Sequence, residues 1–320
     1  MYLKINVIKK KNIITEANPS IIAPNVTVNI NEILINDSSN KLSQTIDNKL
    51  VLIFDTYGGL CNQFYDITNA INFCLKYNIF FTFRYCSFRN SNLNSWELKP
   101  FEEIFDINFI SNYNLYIDYD IIKHDLTHDN CFNLNSNIFS HLYFKSNNIL
   151  DQIINLNKKY VVLKQFWSLN LFRDMIDYTI ISKINPCHHI IDNYNKIKNI
   201  IINNQPYNFI HYRYESDFTK YFNVEIESLD KLIERIKFKN NNLKIFIATL
   251  NIKNLINLKD DKYKNLLYKN DDELTDLNFE QKSFIDYMFG LNSVECYGHN
   301  KSSFSVTLNT LKHTSNYYNI

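Results

Sequence analysis

A run of charged residues follows a short apolar segment in the second half of the chain. The segment FIHYRYESDF (209–218) places His211, Arg213, Glu215 and Asp217 at alternate positions. In an extended backbone alternate side chains point to one face, so this spacing predicts a fixed cation beside two carboxylates at a strand end. Arg213 is one of five arginines in the chain, and its planar fork of N–H donors suits a diphosphate that gains charge as it leaves. A structural ion-pair cluster at a strand end is the alternative.

Two other segments have the features of anion-binding turns. GGLCNQF (58–64) comes just before a predicted helix, whose first unpaired N–H groups and positive dipole end favour an anion. YGHNKSSFS (297–305) leads from a predicted strand into the last predicted helix, where Ser302 or Ser303 is suited to cap the N-terminus. The hydroxyl and N–H groups there would bind a second phosphate, although a simple N-cap predicts the same residues. Neither segment is a GxxxxGK[ST] loop or a GxGxxG fingerprint.

The four glycines of the chain lie in or near these two turns, at Gly58, Gly59, Gly290 and Gly298. The rest of the chain is rich in Asn, Ile, Lys, Tyr and Phe, which A/T-rich codons encode. Because glycine alone lacks a Cβ and adopts positive φ freely, its retention here predicts turns that a phosphate approaches closely. Ordinary turns are the alternative.

Alternating strand and helix patterns position these segments. Apolar runs predict strands at 49–54, 79–83, 207–212 and 243–248, and helical periodicity covers 64–75, 226–236 and 284–291. This alternation is typical of an α/β fold with parallel sheets, where ligands bind at the carboxyl ends of the strands. The breaker cluster NNQP (203–206) indicates a domain boundary. The prediction is a GT-B-like architecture with a cleft between two Rossmann-like domains, 49–204 and 205–320, and with residues 1–48 as an N-terminal arm or extra element.

Composition excludes several classes of protein. The 320 residues carry a net charge of +1 without a basic stripe, which argues against a nucleic-acid partner. The start lacks a signal-peptide pattern, and no window approaches the ~20 apolar residues of a membrane span. Six scattered cysteines predict free, buried thiols in a reducing compartment. We therefore expect a cytoplasmic protein, and the A/T-coded composition suggests a large DNA virus acting in host cytoplasm.

Three other groups of residues suggest rival chemistry. Asp118-Tyr119-Asp120 is a DxD triplet, which could hold a divalent metal against phosphates but also arises readily by chance. His124, His128 and Cys131 have zinc-compatible spacing without a clear fourth ligand, so a loop is the preferred interpretation. The run Cys187 to His189 begins a predicted helix and is interpreted as capping and packing residues. No metal or other cofactor is expected.

Several segments in sequence order resemble the protein O-fucosyltransferase-like glycosyltransferases, the GDP-fucose O-fucosyltransferase superfamily. GGLCNQ (58–63) is similar to the family's Gly-Gly-Leu-Asn-Asn-Gln turn, and the segment 211–217 is similar to its plant-type His-x-Arg-x-Glu-x-Asp motif. FEEIFDINFI (101–110), IFIATLN (245–251) and the pair IDYMF (285–289) and GHNKSSF (298–304) resemble further motifs. The resemblance covers residues 55–314.

The resemblance implies a metal-independent GT-B enzyme that transfers fucose from GDP-fucose, with inversion, to a hydroxyl of a protein or glycan. Residues 49–204 would form the acceptor side and 205–320 the nucleotide-sugar side. Arg213 would stabilise the departing GDP, and Asn62 would lie near the donor sugar and the acceptor. Our candidate for the base is Glu215, with Asp217 fixing Arg213 or its loop. The remaining predicted donor-binding residues are Gly58, Gly59, Leu60, Cys61, His211, Gly298, Ser302, Ser303 and Phe304.

Two departures from the family pattern leave the donor open. Leu250, followed by Asn251, replaces the acidic residue after the Ala-Thr strand, and Val294, beside Glu295, falls where the family has an Asp. A branch that resembles rhamnosyltransferases has the same His-x-Arg-x-Glu-x-Asp pattern, so another 6-deoxyhexose nucleotide such as UDP-rhamnose is an alternative donor. A non-catalytic protein that binds a sugar nucleotide or glycan is a second alternative, although the intact charged residues favour an enzyme.

Overall fold

A computed structural model describes residues 49–90, 95–134, 140–144, 148–166, 176–239, 243–250, 252–255, 260–315 and 317. The predicted arm of residues 1–48 lies outside these residues. The described residues belong to one compact unit, Asp47–Ile320.

Two sheets organise this unit. The first contains β1 (Val51–Asp55), β2 (Phe80–Arg89), β3 (Trp96–Pro100), β4 (Cys131–Asn133) and β5 (Tyr160–Lys164), in the order β3-β2-β1-β5-β4. Only β3 runs antiparallel to its neighbour. Both β1 and β5 are buried along their whole length, which explains their continuous apolar runs because a central parallel strand is covered on both faces.

The second sheet is smaller and wholly parallel. It contains β6 (Tyr207–His211), β7 (Lys244–Ala248), β8 (Leu266–Leu267) and β9 (Cys296–Tyr297), in the order β8-β7-β6-β9. Since the strands are parallel, their carboxyl ends meet at one edge of the sheet, and the loops that follow them lie side by side.

Helices connect the strands and cover the sheets. They are α1 (Leu60–Tyr77), α2 (Asn108–Ser111), α3 (Tyr119–Ile122), α4 (Ser140–Tyr143), α5 (Ile149–Asn155), α6 (Tyr178–Ile181), α7 (His188–Ile201), α8 (Ser216–Phe222), α9 (Leu229–Lys239), α10 (Phe279–Leu291) and α11 (Ser303–Leu311). No described helix is long and apolar enough to cross a membrane.

Two hydrophobic cores flank the second sheet. The larger core includes Phe209 of β6 and extends to the first sheet, where the ring of Phe64 in α1 lies 5.5 Å from that of Phe284 in α10. The smaller core includes Ile210 of β6 and the apolar face of α9. Successive β6 residues therefore enter opposite cores, as the two-residue period of a strand requires.

The α/β, GT-B-like architecture predicted from the sequence is confirmed, with two sheets of mostly parallel strands. The predicted strands and helices are present with shifted ends, and the strand predicted at 79–83 continues to Arg89. The predicted domain boundary at 204/205 stays a prediction. Helix α11 packs back onto α1, where the hydroxyls of Tyr65 and Thr307 are 2.9 Å apart.

Candidate functional site

A cavity of about 300 Å³ opens where the strands end. Arg89, His211 and Ala248 line it, and they are the last residues of β2, β6 and β7. Its cationic side chains are Arg89, Arg213, Lys269 and Lys282, and its acidic ones are Glu215, Asp271 and Asp286. The cavity therefore combines several cations with carboxylates at the edges of both sheets.

The structure brings most of the predicted site residues to this cavity. Those that line it are Gly59, Leu60, Cys61, His211, Arg213, Glu215, Ser302, Ser303 and Phe304. Gly58, Asn62 and Gly298 are not among the lining residues, although Gly58 and Asn62 are each next in sequence to one that is. The side chain of Asp217 lies outside the described residues, so its predicted role stays a prediction.

The Gly58-Gly59 turn is held by a buried glutamine. Gln63 Nε2 donates to the carbonyl oxygens of Gly58 and Ser87, at 3.0 and 2.8 Å, and the hydroxyl of Thr56 donates to Gln63 Oε1 at 2.7 Å. Gly58 has φ +96°, a conformation that favours glycine. Gly59 is the N-cap of α1 and so provides no capping side chain. The loop is thus fixed, and it leads into the N-terminus of α1, where Gly59, Leu60 and Cys61 line the cavity.

Arg213 and Glu215 form an ion pair at the cavity wall. Arg213 Nε donates to Glu215 Oε2 at 2.7 Å, and the guanidinium carbon lies 4.9 Å from the centroid of the Phe218 ring. The predicted extended run is wrong at its end, because Glu215 caps α8 and Asp217 lies in the first turn of that helix. A helix does not alternate its side chains between two faces, so only the positions up to Glu215 keep the predicted alternation. Glu215 is thus paired with Arg213, and the predicted role of Asp217 stays a prediction.

His211 is fixed by a short polar contact that depends on Gly298. Its Nδ1 lies 2.8 Å from the hydroxyl oxygen of Ser305, and its ring lies 4.3 Å from that of Phe304. A Cβ on Gly298 would lie 2.2 Å from the same Ser305 oxygen. Burial, and then the neighbouring Arg213 charge, hold the pKa of His211 well below its usual value. His211 is therefore a neutral, positioned side chain at the cavity wall.

The last helix presents its N-terminus to the cavity. Ser302 is the N-cap of α11, as predicted, but its side chain makes no capping hydrogen bond. Both Ser302 and Ser303 line the cavity. The first N–H groups of a helix have no partner within the helix, so this end of α11 is available to an anion.

The far wall of the cavity contains a buried charge cluster. Lys269 Nζ lies 2.8 Å from Asp271 Oδ1 and 2.9 Å from Asp286 Oδ2. Burial opposes the Lys269 charge, but the two carboxylates outweigh it and raise the pKa of Lys269. Burial raises the pKa of Asp286 to about 6, while Lys269 acts in the opposite direction. Among the described residues, the buried atoms Asp286 Oδ1 and Thr249 Oγ1 have no hydrogen-bond partner.

Gly290 does not form the predicted phosphate-binding turn. It lies inside α10, where an added Cβ would be 2.6 Å from Leu308 Cδ1 and 3.2 Å from Phe209 Cε1. Glycine is retained here because α10, α11 and β6 approach one another closely. At Gly298 the close neighbour of an added Cβ is likewise a side chain, that of Ser305, and the predicted donor-binding role of Gly298 stays a prediction.

The rival metal motifs have ordinary structural roles. Asp118 caps α3 by accepting from the backbone N–H of Asp120, and Asp120 pairs with Lys123 on the surface. Among the described residues, no group of His, Cys, Asp or Glu side chains could hold a metal ion. Cys187 is the N-cap of α7, as the sequence predicted, whereas His188 and His189 are exposed and do not pack.

Sequence reasoning missed several cavity residues. Arg89, Lys269, Asp271, Phe279, Lys282 and Asp286 were not predicted as site residues, although each lines the cavity. A signal existed for Arg89, Lys269 and Asp271, because charged residues that end or closely follow a parallel strand lie at the ligand-binding edge. The strand predicted at 79–83 was too short to place Arg89 there.

Comparisons with known proteins agree with this fold. No protein-family model and no curated protein matches the chain. POFUT1 in complex with GDP-fucose matches with a TM-score of 0.59 at 11% identity, over 84% of this chain and 95% of POFUT1. POFUT1 in complex with GDP matches with a TM-score of 0.58 at 11% identity, over 85% and 98%. Fucosyltransferase NodZ from Bradyrhizobium matches with a TM-score of 0.52 at 11% identity, over 82% and 93%. The chain therefore has the GT-B-like fold of these proteins.

Proposed function

We propose that this protein is a fucosyltransferase-like glycosyltransferase that uses GDP-fucose as donor. The carrying observation is that Arg213, Glu215 and the N-terminus of α11 converge on one cavity, in a fold that is also found in structures bound to GDP or GDP-fucose. A nucleotide sugar needs cationic and N–H donors for its diphosphate and a partly enclosed space for its base. The cavity provides both.

In the proposed reaction the acceptor hydroxyl attacks the anomeric carbon of fucose, with inversion, and the bond from that carbon to the diphosphate breaks. Arg213 stabilises the charge that builds on the departing GDP, since the planar fork of a guanidinium matches two phosphate oxygens. The N–H groups at Ser303 and Phe304 bind a phosphate, as expected at a helix N-terminus. Asn62 is the proposed contact between donor sugar and acceptor.

Glu215 is the proposed base for the acceptor proton, although its bond to Arg213 gives it a structural role too. An ion-paired carboxylate is a weak base, so strong stabilisation of the leaving group would carry most of the rate. The acceptor is a hydroxyl of a protein or a glycan.

The buried far wall supports a guanine base. Leu250 and Val294 replace family acidic residues, and Val294 is 53% exposed. Asp286 and Thr249 nevertheless line the cavity, and their buried atoms Oδ1 and Oγ1 have no hydrogen-bond partner among the described residues. We propose that ligand N–H groups satisfy these buried acceptors, since the Watson–Crick edge of guanine presents adjacent N–H donors.

A thermal-shift panel with GDP, UDP, GDP-fucose and UDP-rhamnose tests the donor. A ligand that binds the native state raises the melting temperature with the logarithm of its concentration over Kd, so GDP and GDP-fucose should give the largest shifts. A shift with UDP alone would overturn the fucose donor and favour a UDP-linked deoxysugar. Binding without turnover of labelled GDP-fucose on any acceptor would favour a non-catalytic binding protein. Cytoplasmic location stays a prediction, which fractionation of the source cells would test, and the viral source stays a prediction as well.

A further inference from the structure

Arg89 is a second arginine in the cavity, and it comes from the first sheet. It is the last residue of β2, at the carboxyl edge where ligands bind in parallel sheets. It lines the same cavity as Arg213, which follows β6 of the second sheet. The two guanidinium groups therefore reach one cavity from different sheets.

The Arg89 side chain is fixed by a buried carboxylate. Its Nε donates to Glu280 Oε1 at 2.9 Å, and its backbone N–H donates to Glu280 Oε2 at 2.8 Å. Glu280 is fully buried in α10 and does not line the cavity. The guanidinium carbon also lies 4.0 Å from the centroid of the Phe279 ring. Both carboxylate oxygens and an aromatic face thus set the orientation of Arg89 before any ligand arrives.

The terminal nitrogens of Arg89 are left for a ligand. Within the part of the chain that the structure describes, Glu280 is its only ion-pair partner, and that pair uses Nε rather than Nη1 or Nη2. Nη2 lies 3.4 Å from the position that a Cβ on Gly59 would take, so the fork points along the glycine turn at the cavity wall. Arg213 is anchored in the same way, by its Nε to Glu215 at 2.7 Å.

We propose that Arg89 binds the donor diphosphate together with Arg213, so that the nucleotide is held from both sheets. This inference rests on the proposed function. A guanidinium fork matches two phosphate oxygens, and two forks from different sheets fix the position of the diphosphate and neutralise its charge. The buried Glu280 is a positioning residue for this fork. The competing interpretation is a structural ion pair that joins β2 to α10.

The test is titration calorimetry of GDP, GMP and guanosine against the wild type and Arg89→Lys. Lysine keeps the charge but cannot bond Glu280 and the diphosphate as a planar fork. The Kd of GDP should rise about 10- to 100-fold, the Kd of GMP should rise less, and the Kd of guanosine should not change. Arg235→Lys is the matched control, because Arg235 also pairs with a glutamate, Glu227 at 3.0 Å, but does not line the cavity. It should leave all three Kd values unchanged.

The possible outcomes of this test either support the inference or contradict it. An unchanged Kd of GDP in Arg89→Lys, or an equal loss for guanosine with a lower melting temperature, would overturn it in favour of the structural ion pair. If Arg89→Lys does not fold, Glu280→Gln takes its place, because it leaves Arg89 present but loosens its anchor, and the same selective loss of GDP is expected. A wild type that binds UDP but not GDP would move the series to UDP, UMP and uridine. A wild type that binds no nucleoside diphosphate overturns the proposed function and this inference together.

Discussion

The carboxyl edges of the two sheets are built in opposite ways. At the first edge Gln63 satisfies the turn at Gly58, and Arg84 makes two hydrogen bonds to Asp55, at 3.0 and 2.6 Å. At the second edge Asp286 keeps a buried atom without a hydrogen-bond partner among the described residues. Native proteins rarely leave buried polar atoms unpaired without a reason. The Gly58 turn and Asp55 at the first edge are therefore satisfied within the protein, whereas the second edge keeps, among the described residues, a buried atom that we expect a ligand to satisfy.

The largest effect is expected at Arg213. Arg213→Lys keeps the charge at the second edge but removes the planar fork, so kcat should fall at least ~10²-fold, the scale of losing one transition-state donor. Donor affinity should fall much less, and the melting temperature should change little because the side chain lies at a cavity wall. The measurement compares kcat, donor Kd and melting temperature with those of the wild type. Near-normal turnover would contradict the catalytic role, and a collapse in melting temperature would favour a structural ion pair.

At the first edge, a substitution should lower the stability of the protein. Gln63→Ala removes the partner of Thr56 and of two carbonyl oxygens, so the free energy of unfolding should fall by about 2 kcal/mol. Thr249→Val at the second edge is the matched control, since its buried hydroxyl oxygen has no partner among the described residues, and its stability should stay within about 0.5 kcal/mol of the wild type. Urea unfolding measures both. Equal losses of unfolding free energy in the two variants would contradict the proposed difference between the edges.

A smaller, pH-dependent effect is expected at Asp286. Burial raises its pKa to about 6, and the ionised carboxylate is the better acceptor for a base N–H. Protonation as the pH falls should therefore weaken binding of GDP-fucose about tenfold between pH 7 and pH 5. GDP-fucose is the right probe because it lacks a terminal phosphate that titrates near 6. Asp286→Asn should bind weakly and without this pH dependence, while Asp120→Asn on the surface should titrate like the wild type. A flat wild-type profile would exclude Asp286 from base binding.

The smallest expected effect is that of chelation. The proposed site meets the diphosphate charge with Arg213 and the N-terminus of α11, so turnover should be unchanged in EDTA. The assay is initial rate with and without EDTA, followed by added Mn²⁺. Loss of activity in EDTA, with rescue by Mn²⁺, would instead indicate that a metal held by Asp118 and Asp120 binds the donor.

The location of the motifs at strand ends could be predicted from the sequence, because the loop after a parallel strand lies at the carboxyl edge of the sheet. Arg213 and Ser302, whose residue numbers differ by 89, were expected at one ligand-binding edge, and both line the cavity. The sequence predicted only in part why glycine occupies its positions in this chain. Gly58 has the positive φ that a turn needs, whereas Gly298 admits Ser305, a contact that no local pattern records.

The sequence by itself determined the α/β class, the order of the elements and the segments that end at the binding edge, since hydrophobic period and breaker residues act locally. Tertiary structure decided which side chains meet there. Arg89 and Glu280 are 191 positions apart, and Lys269, which follows β8, meets Asp286 of α10 only in the folded protein. Such pairs depend on how elements pack and exclude water, and periodicity carries no information about that.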